Sequence, residues 1–481
     1  MTAGQAAVAV ILALPAATSA LLAALSSYRL SAAINVASAF VVFLASLALF
    51  AAVPLRGAYF LVDDLNVVFI ALNTFVGFTA SVFSATYIAH EVESGRLTTT
   101  HLRFYHGMYQ FLLFSMNLAL VANNIGLMWV AIELATLTTV LMVGVYQTRA
   151  AIEAAWKYFI LGSVGVALAL FDTILVYMAA LPVVGEGVQG MLWTTLIERA
   201  SAFEPALLNL AFVFLLLGYG TKVGLAPLHA WLPDAHAEGP TPISAVLSGL
   251  LLNVALYAVL RFKLLLDANG RAIAPGPLMV TLGLVSVIFA AFMLYRRRDV
   301  KRMFAYSSIE HMGVIVFAFG VGGPLANFAG LLHMVMHSLT KSAIFYVVGQ
   351  IAQVKGTQQM ADIRGLTVTH PLLGWSLAFG VFAIVGFPPM GVFMSEFLIV
   401  SSTFERAPWL APLLVVGLLI ALGALMLRLQ AMAFGAPTGS AAPAKASAAP
   451  IIAHFALVLM AGVYLPSPLV AWFQHVAGML R

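Results

Sequence analysis

Residues 222–249 read Lys222-Val-Gly-Leu-Ala-Pro-Leu-His-Ala-Trp-Leu-Pro-Asp-Ala-His-Ala-Glu-Gly-Pro-Thr-Pro-Ile-Ser-Ala-Val-Leu-Ser-Gly249. The stretch opens inside a long apolar run, with a lysine one turn ahead of Pro227. Proline lacks a backbone donor and clashes with the preceding turn, so a helix through 204–232 must break here. The pattern recurs downstream, where Val223-Gly-Leu-Ala-Pro227 is matched by Val385-Gly-Phe-Pro-Pro389. Both sit midway along hydrophobic segments. Paired broken helices, one in each half of a chain, point to inverted repeats around an ion site at the membrane midplane. Two ordinary proline kinks are the plainer alternative. The expected breaks are at Pro227, Pro388 and Pro389.

Outward from this stretch the composition leaves one solvent open. Of 481 residues, 62% are hydrophobic and 9% charged, against about 25% charged in a soluble domain. Such a chain cannot cover a water-facing surface, so lipid is its main solvent. There is no cysteine, which excludes disulfides, thiolate metal sites and cysteine-ligated clusters within the chain. No cofactor is expected here, and any redox group belongs to a partner. The net charge of +5 fits membrane topology, and no basic stripe interleaved with aromatics supports nucleic-acid binding. The first apolar run, Ala6 to Leu25, lacks a basic leader and cleavage site and reads as a span.

Apolar segments of spanning length lie at 5–25, 32–53, 65–90, 107–122, 124–145, 152–180, 204–232, 241–266, 275–295, 301–320, 325–351, 371–400, 409–435 and 451–475. The fold class is an all-α polytopic membrane protein of about fourteen transmembrane helices. Basic residues concentrate in the loops after odd-numbered segments, with Arg296–Arg302 as the strongest cluster. Arg261 and Lys263 count among the fewer cations of the opposite loops. The bias places the first set in the cytoplasm and both termini outside. The loop 181–204 has room for a short lateral helix, and 436–450, rich in Ala, Pro and Ser, reads as a flexible linker.

Charge at depth is the functional signal. An ionisable group in hydrocarbon costs about 2.5–3.5 kcal/mol on insertion scales, yet Glu133, Asp172, Lys222, Glu310, His311, His333, His337, Lys341 and Glu396 all fall within apolar segments. Glu133 and Lys222 form a candidate switchable pair: closed, the lysine keeps its proton; open, burial lets it leave. His333, His337 and Lys341 stand at i, i+4 and i+8, on one helix face. That spacing suits a water-bridged proton wire. Zinc on His333 and His337 is the competing reading, set aside because the zincin glutamate is missing and lysine is a poor ligand. Glu310 is either a relay group or a shallow partner of Arg302. Asp172 has no assigned partner, and His229 and His236 read as interfacial.

At these residues the chain resembles the antiporter-like subunits shared by respiratory complex I, multisubunit Na⁺/H⁺ antiporters and membrane-bound [NiFe] hydrogenases. The match is densest over Lys222–Gly249, and continues in Trp156-Lys157-Tyr-Phe159, Ser307-Ser-Ile-Glu-His-Met-Gly313 and His337-Ser-Leu-Thr-Lys341. The Ser-Ile-Glu-His-Met-Gly detail is most similar to the medium-length subunit of group 4 hydrogenase and formate hydrogenlyase complexes. The resemblance implies two inverted five-helix repeats, 107–266 and 275–435, preceded by N-terminal helices in 1–106 and followed by the linker and a last helix in 451–481. It implies that Glu133 and Lys222 are a gating ion pair, and that Lys157, His311, His337, Lys341 and Glu396 occupy proton-path positions. Where many relatives carry a lysine, this chain has Leu251-Leu252-Asn253. Either Asn253 and water bridge that gap, or Lys263 or Asp172 substitutes, or conduction there is impaired. The implied function is proton translocation without bond chemistry. The implied setting is the bacterial inner membrane, beside other antiporter-like subunits and a cytoplasm-facing redox arm. A cation/proton antiporter module, or a non-conducting scaffold or inorganic-carbon uptake subunit, are the alternatives.

Overall fold

The computed structural model describes residues 2–438 and 443–480, apart from the side chains of residues 99, 100 and 102. The chain runs α1 (Ala3–Ala24), α2 (Tyr28–Ala48), a two-strand turn of β1 (Leu55–Arg56) and β2 (Leu61–Val62), α3 (Asp64–Glu93), α4 (Thr99–Val121), α5 (Ile125–Val143) and α6 (Arg149–Val184). A short α7 (Trp193–Arg199) follows in the loop where a lateral helix is expected. Next come α8 (Pro205–Val223), α9 (Leu232–Glu238), α10 (Thr241–Val246) and α11 (Leu252–Asn269), the last two joined by a π-turn over Leu247–Leu251. The second half holds α12 (Gly276–Tyr295), α13 (Val300–Val321), α14 (Pro324–Lys355), α15 (Leu366–Thr369), α16 (Pro371–Ile384), α17 (Gly391–Arg406) and α18 (Ala411–Phe434). The chain closes with α19 (Ala449–Val463) and α20 (Ser467–Met479).

Local sequence sets the helix starts. Asp63 and Asn66 form a reciprocal capping box at α3, and Asn124, Thr148 and Asp299 each accept a backbone N–H at α5, α6 and α13. These polar caps satisfy donors that no helical carbonyl reaches.

Among the described residues eleven helices are long and apolar enough to cross a membrane, or up to twelve if α19 and α20, bent by 80°, make one span. The expected fourteen are not reached on these grounds. Segment 371–400 is split into pieces of 14 and 16 residues, and α4 interleaves His106, Gln110 and Asn117 with its apolar residues. Two further expectations are corrected. Arg261 and Lys263, read as loop cations, are buried within α11, and Lys301 is buried at the start of α13. The described part of the 436–450 linker is anchored: Lys445 pairs with Glu93 at 2.8 Å, and Gln350 donates to the carbonyls of Ala446 and Ser447. Residues 439–442 of that linker lie outside the described residues.

Two helices sit deepest, α14 and the α10–α11 unit, buried along nearly their whole length. They carry Asn253, His333, His337 and Lys341 into the interior. The α1, α2, α6, α12 and α18 helices surround them and leave apolar side chains such as Phe40, Ile160, Phe292 and Leu419 outside. Burial of polar groups inside and exposure of apolar groups outside is the arrangement lipid demands.

Candidate functional site

Both expected breaks exist, and they are built alike. Helix α8 ends at Gly224 (φ +83°) and α16 at Gly386 (φ +71°), left-handed positions that favour glycine. At the first, the N–H of Gly224 donates to Thr221 O and that of Leu225 to Gly220 O; at the second, Gly386 donates to Ala383 O and Phe387 to Phe382 O. This is the same helix-ending motif at both sites. The proline that follows each glycine stops the helix from resuming. Trp231 Nε1 donates to Thr221 O at 2.8 Å, and Ser286 Oγ accepts from the Ala226 N–H at 2.9 Å, so the opened backbone finds partners inside the protein.

The first break delivers Lys222 into the interior. Its side chain is buried, stands 5.6 Å over the Tyr158 ring, and makes no hydrogen bond among the described residues. It does not point at lipid. Glu133 on α5 is within electrostatic reach of Lys222 but not in contact: no ion pair joins them, and Glu133 Oε2 has no partner. The Glu133–Lys222 pair read from sequence is therefore not closed in this structure.

The second half assembles a tighter group. Glu310 Oε2 lies 3.3 Å from His311 Nε2. His311 Nδ1 faces His333 Nε2 at 3.1 Å and Glu396 Oε1 at 3.7 Å. His333 Nδ1 meets Ser395 Oγ at 2.8 Å. The His337 ring stands 5.7 Å from that of His311, with both nitrogens unpartnered. Lys341, one turn on, donates to Phe304 O at 3.0 Å and lies within electrostatic reach of Glu310. Glu310, His311, His333, His337 and Lys341 are all buried, while the Glu396 side chain keeps 12% exposure. Glu310 is not the partner of Arg302, which pairs with Asp234 at 2.5 Å and Glu238 at 3.4 Å. Glu310 sits two helical turns deeper on α13, out of that guanidinium's reach.

Asn253 Nδ2 donates to Met334 O at 3.1 Å and Ser338 Oγ at 2.7 Å, tying α11 to α14. Lys263 is paired with Asp267 at 2.7 Å near the end of α11 and does not fill the gap. His236, expected at the interface, is fully buried with both nitrogens unpartnered. It stacks on Phe345 at 4.7 Å and lies within electrostatic reach of Lys301 and Lys341. Its helix turns inward after the break, which spacing alone does not tell. Lys157 is not in the buried group: about half exposed, it pairs with Glu153 at 2.8 Å and Asp234 at 3.1 Å. Asp172 is buried with neither oxygen bonded, beside Tyr219, and is not brought to the others.

One arrangement had no signal in the sequence. Arg261 grips Asp63 through two hydrogen bonds of 2.7 and 2.8 Å, and its Nε donates to Tyr257 at 2.8 Å. The partners are 198 residues apart, so only the fold joins them.

The chain matches the model of the NADH:quinone oxidoreductase/Mrp antiporter transmembrane family over residues 122–421. It belongs to that family. The matched region runs from α5 into α18 and contains both breaks and every member of the buried group. A hydrogenase-4 component F homolog of Methylacidiphilum infernorum (isolate V4) is 62% identical over 461 residues, covering 96% of this chain and 97% of that one. The NADH-quinone oxidoreductase subunit N of Desulforudis audaxviator (strain MP104C) is 28% identical over 375 residues, or 76% and 71% of the two chains. The fold is shared with a chain of the membrane-bound sulfane sulfur reductase, an archaeal respiratory membrane complex, at TM-score 0.88 and 23% identity over 98% and 97% of the chains. It is also shared with a chain of the Mrp complex from Dietzia sp. DQ12-45-1b, at TM-score 0.85 and 17% identity over 100% and 97%. The protein is thus a polytopic, antiporter-like membrane subunit, and its homologues are subunits of multisubunit membrane complexes.

Proposed function

We propose that this subunit translocates protons through its interior as part of a redox-driven membrane complex of the hydrogenase-4 or complex I kind. The observation that carries this reading is the buried run Glu310–His311–His333 with Glu396 alongside, in which successive polar atoms are 3.1 to 3.7 Å apart. Groups that can both give and accept a proton at such separations need little movement to pass it on. Permanently satisfied structural polar groups would leave few free atoms, whereas Lys222, Glu133, His236 and His337 all keep unpartnered ones.

In this reading a proton taken up from the cytoplasmic side loads Lys222 while the Glu133–Lys222 pair is closed. Opening the pair releases it toward His236 and Lys341, and Glu310, His311 and His333 pass it to Glu396. Lys157 acts from the edge, through Asp234. The chain supplies no electrons, so the signal that opens and closes the pair comes from neighbouring antiporter-like subunits and a cytoplasm-facing redox arm. The two halves, 107–266 and 275–435, are inverted repeats around their breaks. The protein lies in the bacterial inner membrane with both termini on the outer side.

A second reading has one observation behind it. Asn253 carries no charge and its amide nitrogen is spent on α14, which suits a scaffold that keeps the fold without conducting. Proton uptake by proteoliposomes of the intact complex separates the two. Lys222→Ala should abolish redox-driven uptake while leaving assembly intact, and unchanged uptake would favour the scaffold.

A further inference from the structure

Two imidazoles and a carboxylate converge at the second break with their ligand atoms within 4.8 Å of one another: His311, His333 and Glu396. A four-coordinate zinc ion bound at about 2.0–2.1 Å holds its ligand atoms about 3.3 Å apart. The His311 Nδ1–His333 Nε2 separation of 3.1 Å and the His311 Nδ1–Glu396 Oε1 separation of 3.7 Å straddle that value. The atoms behind the ligands are arranged too. His311 turns its other nitrogen to Glu310 at 3.3 Å, and His333 turns its own to Ser395 Oγ at 2.8 Å. The His333–Ser395 hydrogen bond is of the outer kind that fixes which imidazole nitrogen faces a metal, and Glu310, near His311 Nε2 but not hydrogen-bonded to it here, stands where a carboxylate–histidine–metal string places its carboxylate. Glu396 and Glu310 bring two carboxylates to the dication, and the charge balances with the nearby Lys341 in its neutral form. The three ligands come from α13, α14 and α17, so no single helix motif announces the site.

We propose that His311, His333 and Glu396 form a binding site for one divalent transition-metal ion of the zinc class, with a fourth position left for water. His337, the other half of the i, i+4 pair that sequence alone offers to zinc, is not a ligand. The site lies next to the second break, where Glu396 reaches back against Gly386 and keeps its partial exposure. An ion enters from that side. The consequence for transport rests on the relay reading above: a bound ion occupies the lone pairs that would carry the proton, so it stalls translocation.

The test uses the full chain purified in detergent, titrated with cobalt(II) and then zinc. Wild type should develop the visible absorption of low-coordinate cobalt, displaced by zinc. X-ray absorption at the zinc edge should report two imidazoles, oxygen and no sulfur, a readout that needs no variant. His311→Ala, His333→Ala and Glu396→Gln should each lose the band, and His337→Ala should keep it. Ser395→Ala leaves every ligand in place and should weaken zinc binding about 10–100-fold. Absence of uptake by wild type, a band that survives His333→Ala, or one lost in His337→Ala overturns the site. Zinc inhibition of proton uptake should shift with Ser395→Ala in step with affinity. If zinc binds without slowing uptake, the site stands and the relay role of these residues falls.

Discussion

Replacing His311 with leucine is the sharpest trial of the relay. The imidazole stands between two carboxylates of the buried group, 3.3 Å from Glu310 on one nitrogen and 3.7 Å from Glu396 on the other. Leucine has similar bulk and cannot carry a proton, so two short transfers become one gap sealed by an apolar side chain. His333 does not rescue the path, because its own contact to the chain of donors is His311 itself. Loss of a positioned acid–base group costs about 10²–10⁴ in rate, or about 3–5 kcal/mol of barrier. Proton uptake into proteoliposomes of the complex should therefore fall at least about 100-fold while electron transfer persists or slows. His106→Leu is the matched control: that histidine is buried with both nitrogens unpartnered on α4, away from the group. Uptake within a factor of two of wild type in His311→Leu would refute the reasoning, as would an equal loss in both variants.

Gly386→Ala should slow uptake without touching a titratable residue, since a Cβ at that left-handed position meets Glu396 Oε2 and moves the carboxylate from His311; unchanged rates would show that Glu396 is not held there for transfer. Asn253→Leu should loosen α11 from α14, lowering the detergent thermal midpoint by the equivalent of about 1–3 kcal/mol for the two hydrogen bonds lost, and a midpoint equal to wild type would contradict the tie. Asp63→Asn should destabilise by about 3 kcal/mol at neutral pH, the lower part of the range for breaking a buried pair, because Arg261 is 4% exposed but Asp63 keeps 19%. Burial alone would push the Asp63 carboxyl up; the Arg261 guanidinium, through its charge and hydrogen bond, and the Asn66 and Leu65 N–H groups outweigh it and hold the carboxyl below the usual carboxylate range. The pair's contribution is thus full above about pH 3.9, the unfolded value, and is lost as pH falls through the lower folded value. Wild type and Asp63→Asn should converge in midpoint only in that acid window, and a difference that persists there would assign the effect to packing.

Helix breaks were legible because proline and glycine act locally: Pro227 and Pro389 mark their own turns, and the glycine before each is the residue that tolerates a left-handed cap. Depth was legible too, since any charged residue amid twenty apolar ones must be inside. What one dimension cannot give is convergence. His311, His333 and Glu396 lie on three helices, and the i, i+4 rule joined His333 to His337 when the close partner comes from α13. His236 looked interfacial because it follows a break and a proline; the break turns its helix inward, where it stacks on Phe345. Arg261 and Lys301 were misread for the opposite reason. Each is a cation near the end of an apolar segment, but Arg261 has Asp63 for a counter-charge, and Lys301 caps two carbonyls, Ala237 O at 3.1 Å and Gly239 O at 2.7 Å. Burial was feasible for both only through partners distant in sequence.

The two breaks share a backbone design and differ in charge, and that difference bears on direction. Ahead of the first glycine stands Lys222; the matching position ahead of the second is Ile384, with no titratable group. After the first break comes Asp234, held at the edge by Lys157 and Arg302. After the second comes Glu396, with no lysine or arginine in contact among the described residues and two histidines in front of it. A lysine that can be loaded at one break and an acid that can be discharged at the other make a path with two unlike ends. If the halves were equivalent conductors, exchanging the charges, with Glu396→Lys in one variant and Lys222→Glu in another, should be tolerated alike. On the reasoning here they are not: Glu396→Lys puts a second cation within reach of His311 beside Lys341, and like charges in that interior repel strongly. Lys222→Glu instead places an acid opposite Glu133, leaving the first half without a cation to gate. Each should stop uptake for a different reason, and only the first should also abolish zinc binding.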